Sequence, residues 1–216
     1  MREPQQALAA WELSYAYRYG GLLPESIVWG ERALTSDPSF KLTNAVFISY
    51  LYTGQYQKFL DSLATVNDTA YVLFYRGLAY YYLQQPDAAR VAFDRAYALD
   101  AELLQARIGK ALSAGLSGDT AQGIALLTQC EQEVIRHGVT DAEGIYKIGQ
   151  GYALLGDQPS ALRALRRSIE GGFFCYPYLK DDPLLASLRA VPEYQQLLEV
   201  AQRRHESFKT KWAGKL

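Results

Sequence analysis

Residues 77–96 read GLAYYYLQQPDAARVAFDRA, and this stretch has the pattern of two helices joined by a tight turn. Pro86 suits the first turn of a helix, because a backbone N–H is not needed there, and the neighbouring Asp87 favours the positive end of the helix dipole. Gly77 has no side chain, so a second helix can lie close against the first, and Phe93 fills the space that remains. The stretch therefore predicts a helical hairpin.

The same spacing recurs along most of the chain. With Gly77 as one anchor, the others fall at 14, 47, 111 and 149, so successive anchors are 33, 30, 34 and 38 residues apart. Four further slots follow each anchor at fixed distances. The five sets are Ser14, Tyr17, Ser26, Gly30 and Ala33; Phe47, Tyr50, Phe59, Leu63 and Val66; Gly77, Tyr80, Ala89, Phe93 and Ala96; Ala111, Ala114, Gly123, Leu127 and Cys130; and Gly149, Tyr152, Ala161, Leu165 and Ser168. A period near 34 residues predicts an array of helical repeats.

The predicted fold is all-α, a right-handed solenoid of five helical hairpins followed by a carboxy-terminal capping helix. The repeats span about 7–39, 40–69, 70–103, 104–141 and 142–172, the closing loop and capping helix span 173–208, and a frayed tail spans 209–216. In the second repeat Phe47 and Phe59 replace small residues, and its second helix is predicted to be about a turn short. Either these helices splay apart or they bend the solenoid locally.

Turn signals support this division. Gly21, Gly54, Gly118 and Gly156 each lie seven residues after their anchor, where the first helix of the repeat must end. A glycine at that place is typical of a helix carboxy terminus, because the backbone there often needs a positive φ. The sequence therefore predicts the turn of four hairpins.

The composition limits the classes of function. With 22 basic and 23 acidic residues the formal net charge is -1, which argues against nucleic acid as a partner. The two cysteines, Cys130 and Cys175, make no disulfide framework, and Cys130 falls on a small-residue slot where a buried thiol is expected. No apolar run approaches the roughly 18 residues that insertion across a membrane requires.

The amino terminus carries little targeting information. Residues 1–4 lack a hydrophobic signal core and enter the first repeat almost at once. We therefore expect a cytoplasmic location, or an extracytoplasmic one if a longer parent protein has an upstream membrane helix. An array that starts this abruptly is expected to be a piece of such a longer protein.

The repeat anchors resemble the tetratricopeptide repeat (TPR) family over residues 7–172. The carboxy-terminal part of the chain, from residue 173 to residue 208, is similar to segments that finish tetratricopeptide arrays in large bacterial signalling proteins. In those proteins the array follows a serine/threonine protein kinase or a winged-helix transcription regulator. The residues that carry this second resemblance are Phe173 to Asp182, Leu188, Pro192, Tyr194 and Arg203 to Phe208, with Tyr17 to Leu23 and Glu25-Ser26 near the start. The resemblance implies an interaction or sensing module attached to an effector. The sequence has no kinase glycine-rich loop and no catalytic-loop aspartate.

Catalytic and metal-binding patterns are not found in the sequence. His137 and His205 are far apart without a second ligand at helical spacing, and both are predicted to be surface residues. Gly20-Gly21 and Gly171-Gly172 lack the spacing and the lysine of a phosphate loop, so they are predicted to be helix ends. Asp181-Asp182 precedes a proline and is predicted to serve a turn. We therefore expect no enzyme activity, no metal and no cofactor.

The family resemblance also implies where a partner binds, because the first helix of each pair lines the concave groove in this family. Twelve of the 17 tyrosines fall on predicted first helices, and tyrosine combines a wide apolar ring with a hydrogen-bonding tip. The predicted partner-binding residues are Trp11, Tyr15, Arg18, Tyr19, Lys41, Asn44, Tyr52, Tyr71, Phe74, Tyr75, Tyr81, Tyr82, Tyr146 and Lys147. We expect an extended peptide or protein segment with apolar or aromatic side chains, whose acidic groups contact Arg18, Lys41 and Lys147.

Other interpretations stay open at the level of sequence. Tyr17, Tyr50, Tyr80 and Tyr152 occupy core slots of the repeat and need no ligand, and helix packing could absorb further tyrosines. The groove could instead sense a small peptide or an aromatic molecule and act on an effector domain of the same parent protein. The open face of the first repeat could also pair two copies of the chain.

Overall fold

The computed structural model describes residues 4–37 and 47–214. Within these two ranges the structure has twelve α-helices and one 3-10 helix, without a β-strand. The α-helices are α1 (Pro4–Gly20), α2 (Leu23–Ser36), α3 (Ile48–Tyr52), α4 (Tyr56–Ser62), α5 (Ala70–Tyr82), α6 (Pro86–Leu99), α7 (Leu104–Leu116), α8 (Thr120–Arg136), α9 (Ala142–Leu154), α10 (Gln158–Glu170), α11 (Tyr176–Asp181) and α12 (Pro192–Trp212). The 3-10 helix, Pro183–Leu188, lies between α11 and α12. The predicted all-α class is confirmed.

Within residues 4–37 and 47–170, five helix pairs follow one another, and one hydrogen bond confirms their register. In each pair the backbone N–H eight residues after the anchor donates to the carbonyl oxygen three residues after it. The bonds are Leu22 to Tyr17 at 2.8 Å, Gln55 to Tyr50 at 2.9 Å, Gln85 to Tyr80 at 2.9 Å, Asp119 to Ala114 at 2.9 Å and Asp157 to Tyr152 at 3.0 Å. This is the bond that closes the last turn of a helix in a Schellman motif, so the five first helices end in the same way.

The predicted turn glycines adopt the left-handed backbone that the motif requires. Gly21, Gly54, Gly118 and Gly156 have φ values of 82°, 75°, 90° and 82°. The third repeat has Gln84 at the equivalent position, with φ of 59°. A residue with a Cβ is strained in this region. In the hairpin of residues 77–96 the turn therefore forms although the backbone preference of Gln84 opposes it.

Polar side chains fix the starts of several helices. Thr69 accepts a hydrogen bond from the backbone N–H of Val72 at 3.2 Å at the start of α5. Asp119 caps α8 in the same way, through the N–H of Gln122 at 3.0 Å. These caps satisfy backbone donors that have no partner inside the helix.

The small anchor residues permit close contact inside each hairpin. A Cβ placed on Gly77 would lie 2.5 Å from Cε1 of Phe93, and one on Gly149 would lie 2.9 Å from the Leu165 side chain. Real Cβ contacts do not come that close, so each glycine is needed for its helix pair to pack. The role predicted for Gly77 and Phe93 is confirmed.

The second pair is the irregular one, as predicted. Its helices α3 and α4 have five and seven residues, against thirteen or more in the helices of the other four pairs. Phe59 on α4 is nevertheless fully buried and takes the place of a small residue. The predicted site residues Lys41 and Asn44 lie outside the described residues.

The closing helix α12 packs as predicted but is longer. Tyr194, Leu197 and Ala201 are buried on its apolar stripe. The predicted tail begins at 209, whereas the helix continues to Trp212. Its last turn is favoured by Lys209 and Lys211, because positive charge stabilises a helix carboxy terminus.

The prediction that both histidines lie at the surface is correct for His137 and wrong for His205. His205 is buried, with Nδ1 2.7 Å from the carbonyl oxygen of Gly20. The reason is that α12 packs against α1, where the ring of Phe208 also lies edge-on to that of Tyr17 at 6.3 Å. The last helix therefore contacts the first, and the array closes on itself.

Candidate functional site: the concave face

The predicted site residues fall into three groups. Lys41 and Asn44 are outside the described residues. Five side chains are partly buried, namely Trp11, Tyr15, Tyr19, Tyr71 and Tyr81. Seven are buried, namely Arg18, Tyr52, Phe74, Tyr75, Tyr82, Tyr146 and Lys147. Most of the predicted surface is thus covered by other parts of the chain.

Phe74 is placed away from the concave face. Its ring lies 5.9 Å from that of Phe93, and its Cδ2 is 3.3 Å from the position of a Cβ on Gly109. The side chain therefore packs between α5, α6 and α7, in the contact between two repeats. On a helix, neighbouring residues differ by about 100° in direction, so the sequence did not separate Phe74 from Tyr75.

The segment that follows the repeats fills the concave face. The ring of Phe173 lies 5.3 Å from Tyr19 and 4.9 Å from Tyr146. Tyr178 on α11 stacks on Tyr52, with ring centroids 3.8 Å apart and planes 12° from parallel. Residues 173–182, hereafter the closing segment, thereby join first helices from separate repeats.

Asp182, at the end of the closing segment, accepts hydrogen bonds from two first helices, α5 and α9. The Tyr146 hydroxyl donates to Oδ2 at 2.6 Å, the Tyr82 hydroxyl donates to Oδ1 at 3.2 Å, and the side-chain amide of Gln150 also donates to Oδ2. The predicted turn role is confirmed as well, because Oδ1 accepts from the backbone N–H of Leu184 at 2.9 Å. Burial raises the pKa of Asp182, although these hydrogen bonds oppose the shift.

A buried ion pair joins the first and fifth repeats. Arg18 on α1 donates through Nη2 to Oε2 of Glu143 on α9 at 2.9 Å, and through Nε to Oε1 at 3.2 Å. The hydroxyl of Tyr52 donates to the same carboxylate. Burial works to raise the pKa of Glu143, but the Arg18 charge outweighs it and holds that pKa below its usual range. A fork of two hydrogen bonds fixes the relative position of helices that are far apart in sequence.

Lys147 lies beside this ion pair in a cage of tyrosine rings, hereafter the tyrosine cage. Its Nζ is 4.6 Å from the ring centroid of Tyr52, 5.5 Å from Tyr75, 5.3 Å from Tyr146 and 5.2 Å from Tyr178. The ammonium has no hydrogen-bond partner among the described residues. Burial lowers the pKa of Lys147 to about 8, against the attraction of nearby carboxylates. Attraction to these carboxylates and cation–π attraction to the rings together compensate in part for its lost hydration.

The cavity that remains beside the closing segment is small. It has a volume of about 360 Å³ and is lined by residues that include Pro24, Tyr52, Tyr56, Tyr178 and Asp181. Its walls combine aromatic rings with one exposed carboxylate. This is room for one or two side chains of a partner, not for an extended peptide along the whole face.

The described residues offer neither a clustered set of metal ligands nor an activated thiol. No group of three or more His, Cys, Asp or Glu side chains among them is placed to hold a metal ion. Burial raises the pKa of the Cys130 thiol to about 11 and that of Cys175 to about 12, so both are poor nucleophiles. Among the same residues, no helix is long and apolar enough to cross a membrane.

The residues that complete this face lie outside the predicted site. Phe173, Tyr178 and Asp182 belong to the predicted closing loop, yet they fill the surface that is predicted to bind a partner. The signal that points to them is the aromatic run at 173–178, which is too apolar for an exposed loop. Only the fold shows which helices those rings meet.

Comparison with known proteins gives limited similarity. No family model matches the chain, and no curated protein matches it. The crystal structure of MamA protein has a TM-score of 0.45 and 18% identity, over 78% of this chain and 93% of that one. The structure titled YrrB, a TPR protein with an unusual peptide-binding site, has a TM-score of 0.43 and 18% identity, over 85% of this chain and 91% of that one. The chain's own helix pairs and recurring turns show an array of helical hairpins.

Proposed function

We propose that this chain is a non-enzymatic protein-interaction module, whose concave face binds a peptide segment with aromatic and acidic side chains. In the present conformation the closing segment of the same chain occupies that face. The observation that carries the proposal is the way in which Tyr178 and Asp182 are held. Side chains from three first helices, Tyr52, Tyr82 and Tyr146, stack on or donate to them.

Recognition of this kind suits a ligand presented as one helical turn. Tyr178 lies in α11 and Asp182 is the carboxy-terminal cap of that helix, with the Asp182 N–H donating to the Tyr178 carbonyl at 2.9 Å, so the two side chains project from the same side. The Tyr178 ring offers apolar area, and the Asp182 carboxylate accepts hydrogen bonds from fixed donors. A partner that carries an aromatic residue and, four positions later, a carboxylate would make the same contacts.

The closing segment must leave before such a partner can bind along the face. Burial of a large apolar side chain stabilises a fold by about 1.5–3 kcal/mol, and the segment buries Phe173, Tyr178 and Leu179. Exchange is therefore rare in the wild-type chain. Loosening of the segment by a further domain is the natural point of control, which fits the proposed role as a regulatory part of a larger bacterial signalling protein.

A second candidate function is sensing of a small ligand. The cavity of about 360 Å³ beside Tyr52, Tyr56 and Tyr178 stays open while the closing segment is in place. It matches the size of a single aromatic side chain or a dipeptide better than that of a folded partner. Binding of such a ligand would not require the closing segment to move.

The proposed function can be tested with the closing segment supplied as a separate peptide. A labelled peptide of residues 173–183, with Cys175→Ser, is titrated into the wild-type chain and into a Tyr178→Ala/Asp182→Ala variant, with fluorescence anisotropy as the readout. We expect saturable binding by the variant and little by the wild type, whose own segment competes at an effective concentration of about 1 mM or more.

The control is the same peptide with Tyr178 and Asp182 both changed to alanine. It should bind the variant far more weakly. Circular dichroism establishes that the variant is folded. If the folded variant binds neither peptide, or binds both equally, the concave face is a fixed core and not a binding surface.

A further inference from the structure

The outer face of the first helix pair carries an apolar groove. Ala9 and Leu13 on α1 and Trp29 on α2 line it, with a volume of about 520 Å³. Val28 beside it is 47% exposed. None of these residues belongs to the closing segment or lines the cavity beside it, so the groove is separate from that cavity.

The internal repeats show what normally covers this face. Ala9 lies five residues before its anchor, and the equivalent positions in repeats three, four and five are Val72, Ala106 and Gly144. All three are buried, whereas Ala9 is exposed. The preceding repeat provides the cover, since a Cβ on Gly144 would lie 3.3 Å from Leu104 on α7. The α1 side of the first repeat therefore presents a face that elsewhere in this fold packs against helices, whereas the Val28 position on α2 is exposed in repeat three as well, where Val91 is 58% exposed.

The outer stripe of α2 indicates which helix fits there. Glu25, Val28, Trp29 and Arg32 are spaced at i, i+3, i+4 and i+7 and so lie along one side of the helix. The guanidinium of Arg32 lies 4.5 Å from the Trp29 ring centroid. Within the described residues neither Glu25 nor Arg32 forms an ion pair. The stripe thus has an apolar centre with an unpaired acid at one end and an unpaired base at the other.

We propose that two copies of this chain associate through this face, with α2 antiparallel to α2 of the second copy. The midpoint of Glu25 and Arg32 falls between Val28 and Trp29. A twofold axis at that point sets each Glu25 opposite the partner copy's Arg32 and brings the two apolar centres together. In such an isologous contact both copies use the same patch, so the assembly stops at two chains. Each Glu25 and each Arg32 then has a partner of opposite charge.

The α2 helix of a second copy also matches the apolar chemistry of this face. Two Val28 side chains and two Trp29 rings leave water together, which is the main attraction expected at the centre of an interface. The two reciprocal ion pairs at the rim fix the antiparallel register more than they add affinity. Parallel pairing is disfavoured because it sets like charges against each other.

The test is the mass in solution, by sedimentation equilibrium from about 1 to about 200 μM, the range in which weak dimers dissociate. We expect the wild-type chain to pass from 24.2 kDa towards twice that mass. Arg32→Glu alone, or Glu25→Arg alone, should raise the dimer dissociation constant about tenfold or more through like-charge contacts. The double variant Glu25→Arg/Arg32→Glu should restore association. Arg203→Glu, an exposed charge reversal on α12, is the matched control and should change nothing.

Two results would overturn the proposal. One is a wild-type chain that stays at 24.2 kDa throughout, in which case another protein covers the face. The other is a dimer that withstands Trp29→Asp, since the central apolar contact is then elsewhere. Circular dichroism of each variant separates lost association from lost folding.

Discussion

Replacement of Lys147 by methionine is expected to stabilise this protein. The ammonium group is buried in the tyrosine cage, beside the ion pair of Arg18 and Glu143, and has no hydrogen-bond partner among the described residues. Methionine has a similar length and no charge, so it can fill the same space with apolar contacts to the rings. Replacement of a buried charged group by an apolar one of similar volume is often neutral or stabilising.

The magnitude follows from the pKa of Lys147. Burial lowers this pKa from 10.5 to about 8. At about 1.36 kcal/mol for each unit of pKa, the charged form weakens the folded state at pH 7 by about 3 kcal/mol relative to a neutral group. That pKa already includes the attraction of Lys147 for Glu143 and Asp182, and imperfect packing of the methionine reduces the gain. We therefore expect a net gain of about 1–2 kcal/mol, or about 2–8 °C in Tm for a chain of this size.

The pH dependence of stability tests independently whether the buried charge of Lys147 destabilises the fold. The folded chain releases the Lys147 proton near pH 8, whereas the unfolded chain keeps it until about pH 10.5. Between these values the unfolded state binds more protons, so the contribution of Lys147 to stability rises with pH. The advantage of Lys147→Met should therefore shrink between pH 7 and pH 9.5. The pKa shift of Cys130 does not involve Lys147, so both proteins share it and it cancels in the difference.

The assay is urea unfolding of both proteins at pH 7 and at pH 9.5, followed by circular dichroism. Lys110→Met serves as the control, because this lysine is partly exposed, pairs with Asp94 at 3.0 Å and should contribute about 1 kcal/mol or less. A Lys147→Met protein that is less stable than the wild type at pH 7 would refute the reasoning. It would mean that cation–π attraction to the tyrosine cage exceeds the desolvation penalty.

Three further substitutions test the packing of the fold. Gly77→Leu should lower the free energy of unfolding by about 1–3 kcal/mol, because its Cβ would meet the Phe93 ring at 2.5 Å; an unchanged Tm would contradict this. Gln84→Gly should raise stability by about 0.5–1 kcal/mol in the same urea assay, since φ is 59° there; a loss would show that the Gln84 side chain has a role of its own. Arg18→Met should cost about 3–5 kcal/mol, because Glu143 is left buried without its partner charge; a change below about 1 kcal/mol would mean that water reaches the carboxylate.

The hairpins were predictable because their causes are local. Gly77 and Phe93 reveal a close helix contact, and Gly118 reveals the turn that a positive φ requires. Such features depend on residues within about one repeat, so their spacing is visible along the chain. The exception, Gln84, has a left-handed backbone that its residue type disfavours, because the surrounding helix pair imposes the turn.

The concave face could be predicted only in part. The periodicity places Tyr52, Tyr146 and Lys147 on first helices, and the structure brings the three side chains together. Their role in binding a partner stays a prediction. Tyr178 and Asp182 cover these side chains in this structure. The repeat periodicity could not predict this contact, because neither residue belongs to a repeat.

The sequence by itself determined the helix pairs, their order and their turns, since these follow from side-chain size and backbone preference over about 34 residues. Tertiary structure alone decided that the array closes on itself. His205 meets Gly20 across 185 residues, and Arg18 meets Glu143 across 125. Contacts over such separations depend on the accumulated rotation of every repeat between them. No local pattern encodes that sum, so the occupied concave face appears only when the whole chain is folded.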